Sequence, residues 1–222
     1  MSIHQRPGAI TARTSAASES QEHFSPSAKS TDPDVLLVRH GETPMNRDGR
    51  VQGWTDASLS TRGKEQARAA GQHIAQTYNV DTVIASDLER AVSTAETIAA
   101  YADTGRVTID SRWREQNFGT YEGMDSADFE REVADIAPSE RLAGGESLQD
   151  VRRRVRNALR DVETTGTTVV VSHAVSIAQL LGSIHGCGLA ESFDRFDPDN
   201  AAVTSIAHEN EWEIQQTNFS AF

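Results

Sequence analysis

Runs of residues with the length and composition of β-strands occur six times along the chain. The first is the continuous apolar run Val35-Leu36-Leu37-Val38, which is typical of a strand buried on both faces. The six predicted strands are residues 35–38, 80–85, 107–109, 167–172, 203–208 and 212–217. The last two are joined across Glu209-Asn210, which favours an antiparallel pair.

Between the strands, apolar residues recur at spacings of three and four, which predicts amphipathic helices. One helix should follow a Ser60 cap and reach Tyr78, and three more are predicted at residues 87–102, 147–164 and 174–185. Strands that alternate with helices indicate a largely parallel sheet covered on both faces. We therefore expect one α/β domain over residues 34–222, a three-layer α/β/α sandwich around a mostly parallel sheet.

Two segments lack this periodicity. Residues 1–33 are rich in Ser, Thr, Ala and Pro, and we expect a disordered tail because so few apolar groups cannot offset the ordering entropy. A transit peptide is the alternative, but Glu19, Glu22 and the absence of an amphipathic stripe argue against it. Residues 123–146 form a polar insertion in the domain, and such insertions often serve as lids or binding loops.

The composition narrows the classes of partner. The formal charge of −12 disfavours nucleic acid and anionic membranes, because affinity for either comes mainly from clustered Lys and Arg. Cys187 is the single cysteine, so no internal disulfide can form, and no signal-like segment stands out. These features favour a cytoplasmic protein whose partner is a small molecule, and they leave its oligomeric state open.

Basic side chains follow three of the predicted strands. Arg39-His40 comes directly after the first strand, Arg90 follows the second, and Ser172-His173 ends the strand at residues 167–172. Ligands of open α/β sheets bind at the carboxyl ends of parallel strands, so these groups should meet. A helix N-terminus at Ala174 adds partial positive charge. Two arginines, two histidines and a helix start suit a phosphate dianion.

The order of these and other short motifs resembles the histidine phosphatase superfamily, in its phosphoglycerate mutase-like branch. The resemblance covers about residues 35–207 and rests on many elements in sequence order. The matching residues are Arg39-His40-Gly41-Glu42-Thr43, Asn46, Gln52-Gly53, Asp56, Leu59-Ser60, Gly63, Gln66-Ala67, Ser86-Asp87-Leu88, Arg90-Ala91, Thr94-Ala95, Arg114-Glu115, Phe118-Gly119, Tyr121-Glu122-Gly123, Gly145-Glu146-Ser147, Ser172-His173 and Asn200.

The resemblance implies a role for each residue of a candidate site. His40 is the expected nucleophile, which forms a transient phosphohistidine, and Glu115 is the expected proton donor. The residues expected to hold the phosphate are Arg39, Thr43, Asn46, Arg90, His173 and Ala174. A neutral imidazole can attack phosphorus in line while cations stabilise the equatorial oxygens, so the chemistry agrees with these roles.

We expect neither a metal ion nor another cofactor in this site. His40 and His173 are conceivable ligands, but Arg39 and Arg90 would repel a divalent cation, and no Cys or His cluster has ligand spacing.

Three functions remain open, of which a phosphatase acting on a small phosphate monoester is favoured. A cofactor-dependent phosphoglycerate mutase would need cationic clamps for the substrate carboxylate, and residues 123–146 offer only Arg131 and Arg141. A catalytically inactive phospho-ligand binder is the third possibility. Such binders usually lose the nucleophile or acid, whereas His40 and Glu115 are both present.

Other conspicuous residues have structural interpretations. The arginine series at positions 152, 153, 154, 156 and 160 is expected to be the solvated face of a helix, with Asp150 pairing with Arg154 at i,i+4. Packing roles are expected for Trp113 and Trp212, and for Trp54 as well, although Trp54 could border the site. Cys187 is expected to be a small buried group.

Overall fold

The computed structural model describes residues 33–222, in which six strands form one sheet accompanied by seven α-helices. The strands are β1 (Val35–Arg39), β2 (Val80–Ala85), β3 (Val107–Ile109), β4 (Thr167–Ser172), β5 (Val203–His208) and β6 (Trp212–Phe219). The α-helices are α1 (Pro44–Arg47), α2 (Thr61–Thr77), α3 (Glu89–Ala102), α4 (Ser126–Val133), α5 (Leu148–Arg160), α6 (Ala174–His185) and α7 (Glu191–Phe196). The prediction of a disordered tail concerns residues that lie almost entirely outside the described part.

The sheet has the strand order β3-β2-β4-β1-β5-β6. The first four strands in this order run parallel, whereas β5 pairs antiparallel with both β1 and β6. This confirms the predicted mostly parallel sheet with an antiparallel pair at one edge. The register places Arg39 at the end of β1 opposite Ser172 at the end of β4, so two of the predicted site segments leave the sheet side by side.

Alternation along β1 shows why both faces of the sheet are covered. Val35 and Leu37 pack in a core cluster with residues of α5 and α6, while Leu36 and Val38 pack in a second cluster with residues of α2 and α3. Successive strand side chains point to opposite faces, so a continuous apolar run needs a layer on each side. Burying each such side chain contributes about 1.5–3 kcal/mol. The three-layer sandwich expected from the sequence is therefore confirmed.

Two predicted segments differ from the structure. α5 ends at Arg160 rather than near residue 164, although its start is as expected, with Ser147 and Asp150 forming a capping box. The segment 123–146 contains α4, which Asp125 caps by accepting from the amides of Ala127 and Asp128. In the part of the chain that the structure describes, every helix is too short or too polar to cross a membrane.

Candidate active site

The carboxyl ends of β1 and β4 bring two histidines together. The amide of His40 donates to the carbonyl of Ser172 at 3.0 Å, so the chain leaves β1 still bonded to β4. His173 follows Ser172, and the centroids of the two imidazole rings lie 5.1 Å apart. Both side chains are buried. The pair of histidines expected at one sheet edge is thus a feature of the fold.

The imidazole of His40 has a different partner on each nitrogen. Nδ1 lies 2.8 Å from the carbonyl oxygen of Gly41, an acceptor, so Nδ1 carries the proton of the neutral ring. The other nitrogen, Nε2, accepts from Nε of Arg90 at 3.2 Å. Burial, and then the charges of Arg90 and Arg39, lower the pKa of His40 well below 6.5. A neutral ring with its lone pair on Nε2 is the form that a nucleophile requires.

Close backbone contact fixes the loop that follows His40. A Cβ atom at Gly41 would lie 2.4 Å from the carbonyl oxygen of Gly63 in α2, so only glycine permits this approach. The amide of Gly41 donates to Oγ1 of Thr94 in α3 at 3.1 Å. The loop carrying the nucleophile candidate is thereby held against two helices.

Arg90 lies in the first turn of α3 and is almost completely buried. Its Nη2 donates to the carbonyl of Gly53 at 2.6 Å and its Nη1 to that of Thr55 at 3.1 Å. The carboxylate of Glu122 in turn accepts from the backbone amides of Trp54 and Thr55, which holds this carbonyl-bearing loop in place. Burial lowers the pKa of Arg90 to about 10, so the guanidinium stays charged at neutral pH.

Arg39 is the last residue of β1 and directly precedes His40. Its Nη1 donates to the carbonyl of Pro198 at 2.7 Å and lies 3.9 Å from Asp197. Its Nε is buried and has no hydrogen-bond partner among the described residues. Burial lowers the pKa of Arg39, and the nearby Glu115 carboxylate opposes this effect. The unpartnered Nε–H leaves a cationic donor for an anion.

Polar side chains lie where the loop after His40 enters α1. Thr43 caps α1, and its amide donates to Oδ1 of Asn46 at 3.1 Å. Because Oδ1 is occupied, only the amide nitrogen of Asn46 is left for a ligand. Asn200 donates from Nδ2 to the carbonyl of His40 at 3.1 Å.

Sequence reasoning omitted one buried amide from the candidate site. Thr43 donates to Oε1 of Gln52 at 2.9 Å, and Nε2 of Gln52 is buried without a partner among the described residues. The available signal was the Gln52-Gly53 motif, but an uncharged side chain in a loop gave no reason to place it near Thr43.

The carboxylate of Glu115 occupies the start of α6. It accepts from the amides of Val175 at 3.2 Å and Ser176 at 3.3 Å, and also from the amide of Gln116 at 2.9 Å. The amides of Val175 and Ser176, at the N-terminus of α6, therefore bind the Glu115 carboxylate. The sequence suggested that the N–H groups at this helix start would be available to phosphate. Ala174, the first residue of α6, is buried beside them.

Arg154 corrects the interpretation of the α5 arginines. It forms an ion pair with Glu146 at 2.9 Å, and its other donors reach the carbonyls of Arg112, Arg114 and Glu115 at 2.6–3.0 Å. The predicted pair with Asp150 was wrong. The Asp150 carboxylate stays at the helix start in the capping box and binds Arg141 and Arg153 instead.

The solvated face predicted for these arginines is also only partly right. Arg153, Arg156 and Arg160 are exposed, but the side chain of Arg154 is only 16 % exposed. Arg152 is half-buried and donates to Gln179 and Ser192.

Trp54 borders the site, as the sequence allowed. Its Nε1 donates to the carbonyl of Glu115 at 2.8 Å, and the guanidinium of Arg114 stacks 4.5 Å from the indole centroid. Arg114 also makes two hydrogen bonds to Asp87, which raise its pKa. Trp113 is packed in the core, as expected.

No group of three or more His, Cys, Asp or Glu side chains in residues 33–222 is arranged to hold a metal ion.

The model of the histidine phosphatase superfamily (branch 1) matches residues 35–220 of the chain. The chain belongs to the histidine phosphatase superfamily. Every residue of the site described above lies within the matched range.

Similar members of the superfamily carry different names. A probable phosphoglycerate mutase GpmB of Erwinia tasmaniensis is 34 % identical over 185 residues, which cover 79 % of this chain and 85 % of that protein. The structure of a mycobacterial glucosyl-3-phosphoglycerate phosphatase in complex with VO3 is similar with a TM-score of 0.73 at 29 % identity, covering 84 % of this chain and 98 % of the other. A phosphoserine phosphatase of Entamoeba histolytica, solved with 3-phosphoglyceric acid, gives a TM-score of 0.74 at 25 % identity, covering 84 % and 96 %. Membership of the superfamily therefore does not by itself define the reaction of this protein. The reaction depends on the residues of its own site.

Proposed function

We propose that this protein is a metal-independent phosphatase that hydrolyses a small phosphate monoester through a phosphohistidine on His40. The observation that supports it most strongly is a set of unpartnered buried nitrogens. Nε of Arg39, Nε2 of Gln52 and Nδ1 of His173 are all buried without partners in the described part of the chain. A buried donor left unpaired costs about 1–3 kcal/mol, which an anionic ligand would recover.

The first chemical step follows from the state of His40. The Nε–H of Arg90 turns from Nε2 to a phosphoryl oxygen, the freed Nε2 lone pair attacks phosphorus in line, an N–P bond forms, and the P–O bond to the leaving alkoxide breaks. Arg39, Arg90 and His173 face the charge that spreads over the equatorial oxygens, and preorganised donors of this kind typically contribute 10²- to 10³-fold each. Arg90 suits this role because two backbone carbonyls already orient its guanidinium.

Proton transfer is assigned to Glu115. It protonates the leaving alkoxide in the first step and accepts a proton from the attacking water in the second, which restores His40 and releases inorganic phosphate. Three backbone amides orient this carboxyl group before substrate arrives.

Ion pairs that already engage the arginines available for a substrate carboxylate favour hydrolysis over mutase chemistry. Arg131 pairs with Asp128, and Arg141 pairs with Asp150 at 2.7 Å, so both arginines of the 123–146 segment already have a carboxylate partner. Arg114 is likewise bound by Asp87. A clamp for the carboxylate of a phosphoglycerate needs a cation that is not already paired.

Phosphoglycerate mutase is the second candidate, because curated relatives at 33–34 % identity are named as probable enzymes of that type. In a mutase the phosphoryl group on His40 would return to a second hydroxyl of the same bound acid. Incubation with 3-phosphoglycerate, with and without 2,3-bisphosphoglycerate, followed by ³¹P NMR, separates the two. A phosphatase releases inorganic phosphate, whereas a mutase forms 2-phosphoglycerate.

Phosphate release from p-nitrophenyl phosphate in the presence of EDTA tests the proposal. We expect turnover that EDTA does not reduce, and we expect no turnover in a His40→Ala variant. Loss of turnover with EDTA, restored by a divalent cation, would contradict metal independence. Binding of inorganic phosphate without turnover of any ester in a panel of phosphosugars, phosphoglycerates and nucleotides would indicate the inactive binder.

A further inference from the structure

Ser86 lies one residue beyond β2 and contacts the second histidine of the site. Its amide donates to the carbonyl of Val171 at 3.1 Å, which continues the pairing of β2 with β4 past the end of the strand. His173 lies two residues beyond Val171, and this register puts Oγ of Ser86 at 2.6 Å from Nε2 of His173. Both residues are completely buried. The contact is therefore fixed by the central strands of the sheet.

The two nitrogens of His173 differ in their partners. Nε2 has the hydroxyl of Ser86, while Nδ1 is buried and has no partner among residues 33–222. The hydroxyl oxygen also accepts a long hydrogen bond, at 3.4 Å, from the amide of Leu88. The hydrogen of the Ser86 hydroxyl therefore has one acceptor in the described part of the chain, Nε2 of His173.

Counting donors and acceptors separates the two neutral tautomers of His173. If the proton is on Nδ1, Nε2 accepts from the hydroxyl and each polar group of the pair is satisfied except Nδ1–H. If the proton is on Nε2, the hydroxyl hydrogen is left buried without an acceptor, and Nδ1 exposes a lone pair toward the ligand. A lone pair would repel the oxygens of a phosphate dianion, so this arrangement is unfavourable both before and after binding.

The charged form of His173 is disfavoured before phosphate binds. Burial lowers its pKa well below 6.5, and the charges of Arg90 and other nearby basic groups act in the same direction. A neutral histidine donates only from the nitrogen that carries its proton, so the tautomer decides whether His173 can bind an anion at all.

We infer that Ser86 is a positioning residue whose hydroxyl donates to Nε2 of His173, and so fixes the proton on Nδ1 as the donor to a phosphoryl oxygen. This inference rests on the proposed phosphatase function for the identity of the anion. It assigns to Ser86 a role in catalysis through His173, without contact between Ser86 and the substrate.

Imidazole ¹⁵N NMR of the full-length protein tests this inference. The ¹⁵N shifts of the two ring nitrogens identify which one carries the proton, and a His173→Gln spectrum assigns the signals. The variants are Ser86→Ala, which removes the donor, and Ser86→Thr, which keeps a hydroxyl. Vanadate affinity and the kcat for p-nitrophenyl phosphate are measured on the same samples.

We expect His173 in the unmodified protein to be protonated on Nδ1 and unprotonated on Nε2. In Ser86→Ala the proton should move toward Nε2, with vanadate affinity and kcat reduced by roughly 10²-fold, the lower end of the cost of one preorganised donor. Ser86→Thr should restore the tautomer and most of kcat.

A His173 ring protonated on Nε2 in the unmodified protein would overturn the inference, even if neither variant folds. An unchanged tautomer in a folded Ser86→Ala variant would overturn it as well. If the Nδ1–H tautomer is found but no phosphate ester is hydrolysed, the role of the Ser86 hydroxyl stands and the proposed phosphatase function fails.

Discussion

Nε of Arg90 lies 3.2 Å from Nε2 of His40, so a buried guanidinium donates to the imidazole nitrogen proposed to attack phosphorus. The opposite ring nitrogen, Nδ1, is tied to the backbone of Gly41. The nucleophile is therefore oriented from both sides, and a cation lies where a phosphoryl group would be received. The Arg90 N–H occupies the Nε2 lone pair before substrate binds, so it must shift to a phosphoryl oxygen as Nε2 attacks phosphorus.

Replacing Arg90 with lysine should reduce kcat/KM by roughly 10²- to 10³-fold, the usual cost of one preorganised donor. A lysine keeps a charge but lacks the planar fork that reaches the carbonyls of Gly53 and Thr55 while facing His40. Arg160→Lys, an exposed change at the end of α5, is the matched control and should retain full activity. A loss below threefold in Arg90→Lys would show that charge alone is sufficient.

Glu115→Gln separates a proton donor from a structural carboxylate. Glutamine keeps the shape and one of the two acceptor oxygens, so either the Val175 or the Ser176 amide loses its partner, and it has no transferable proton. Hydrolysis of alkyl phosphates should fall by roughly 10²- to 10⁴-fold. Phosphorylation of the enzyme by an activated aryl phosphate should change much less, because that leaving group departs unprotonated. Rapid-mixing measurement of the phosphorylation step with both substrates checks this, and equal losses would assign the acid elsewhere.

Arg154→Ala should destabilise the domain by roughly 3 kcal/mol, because it removes the charged partner of the half-buried Glu146 carboxylate and one donor from each of three carbonyl groups. Urea unfolding measures the change. Arg153→Ala, one residue earlier on the same helix but exposed, should alter the free energy of unfolding by less than about 0.5 kcal/mol. Similar values for the two variants would contradict the structural role given to Arg154.

Stability should fall as the pH is lowered below about 7. Burial and nearby arginines lower the pKa of His40 and His173 well below 6.5, so the unfolded chain binds protons in a range where the folded rings stay neutral. More protons on the unfolded state mean that the free energy of unfolding decreases with falling pH.

Urea unfolding at pH 7 and 5.5 measures this dependence. His173→Gln removes one titrating group and should therefore make the free energy of unfolding less dependent on pH between 7 and 5.5. A pH dependence identical to that of the unmodified protein would show that His173 is not held neutral.

The strands and most of the helices could be predicted because they depend on local sequence patterns. The apolar run of β1 and the cap at Ser60 act within a few residues, so the sequence indicated the strands, most helices and the sheet edge that gathers Arg39, His40 and His173. The end of α5 and the presence of α4 were not predicted, because short polar segments depend on tertiary packing more than on periodicity.

Side-chain pairing was the least predictable part of the site. Asp150 and Arg154 have the right spacing for a helical ion pair, yet α5 turns Arg154 toward the carbonyls of the loop that carries Glu115. The partners of Gln52 and Ser86 come from residues 9 and 87 positions away, respectively. Such contacts depend on strand register and loop packing, which a single sequence does not encode in any local pattern.

Trapping of a phosphoenzyme tests the central claim most directly. The protein is mixed with a ³²P-labelled phosphate ester, quenched in alkaline detergent within milliseconds and mapped by peptide analysis. We expect label that is stable in alkali, labile in acid and located on His40, with none in His40→Ala and unchanged labelling in His208→Ala, an exposed histidine outside the site. Full turnover by His40→Ala, or label on any other residue, would contradict the account.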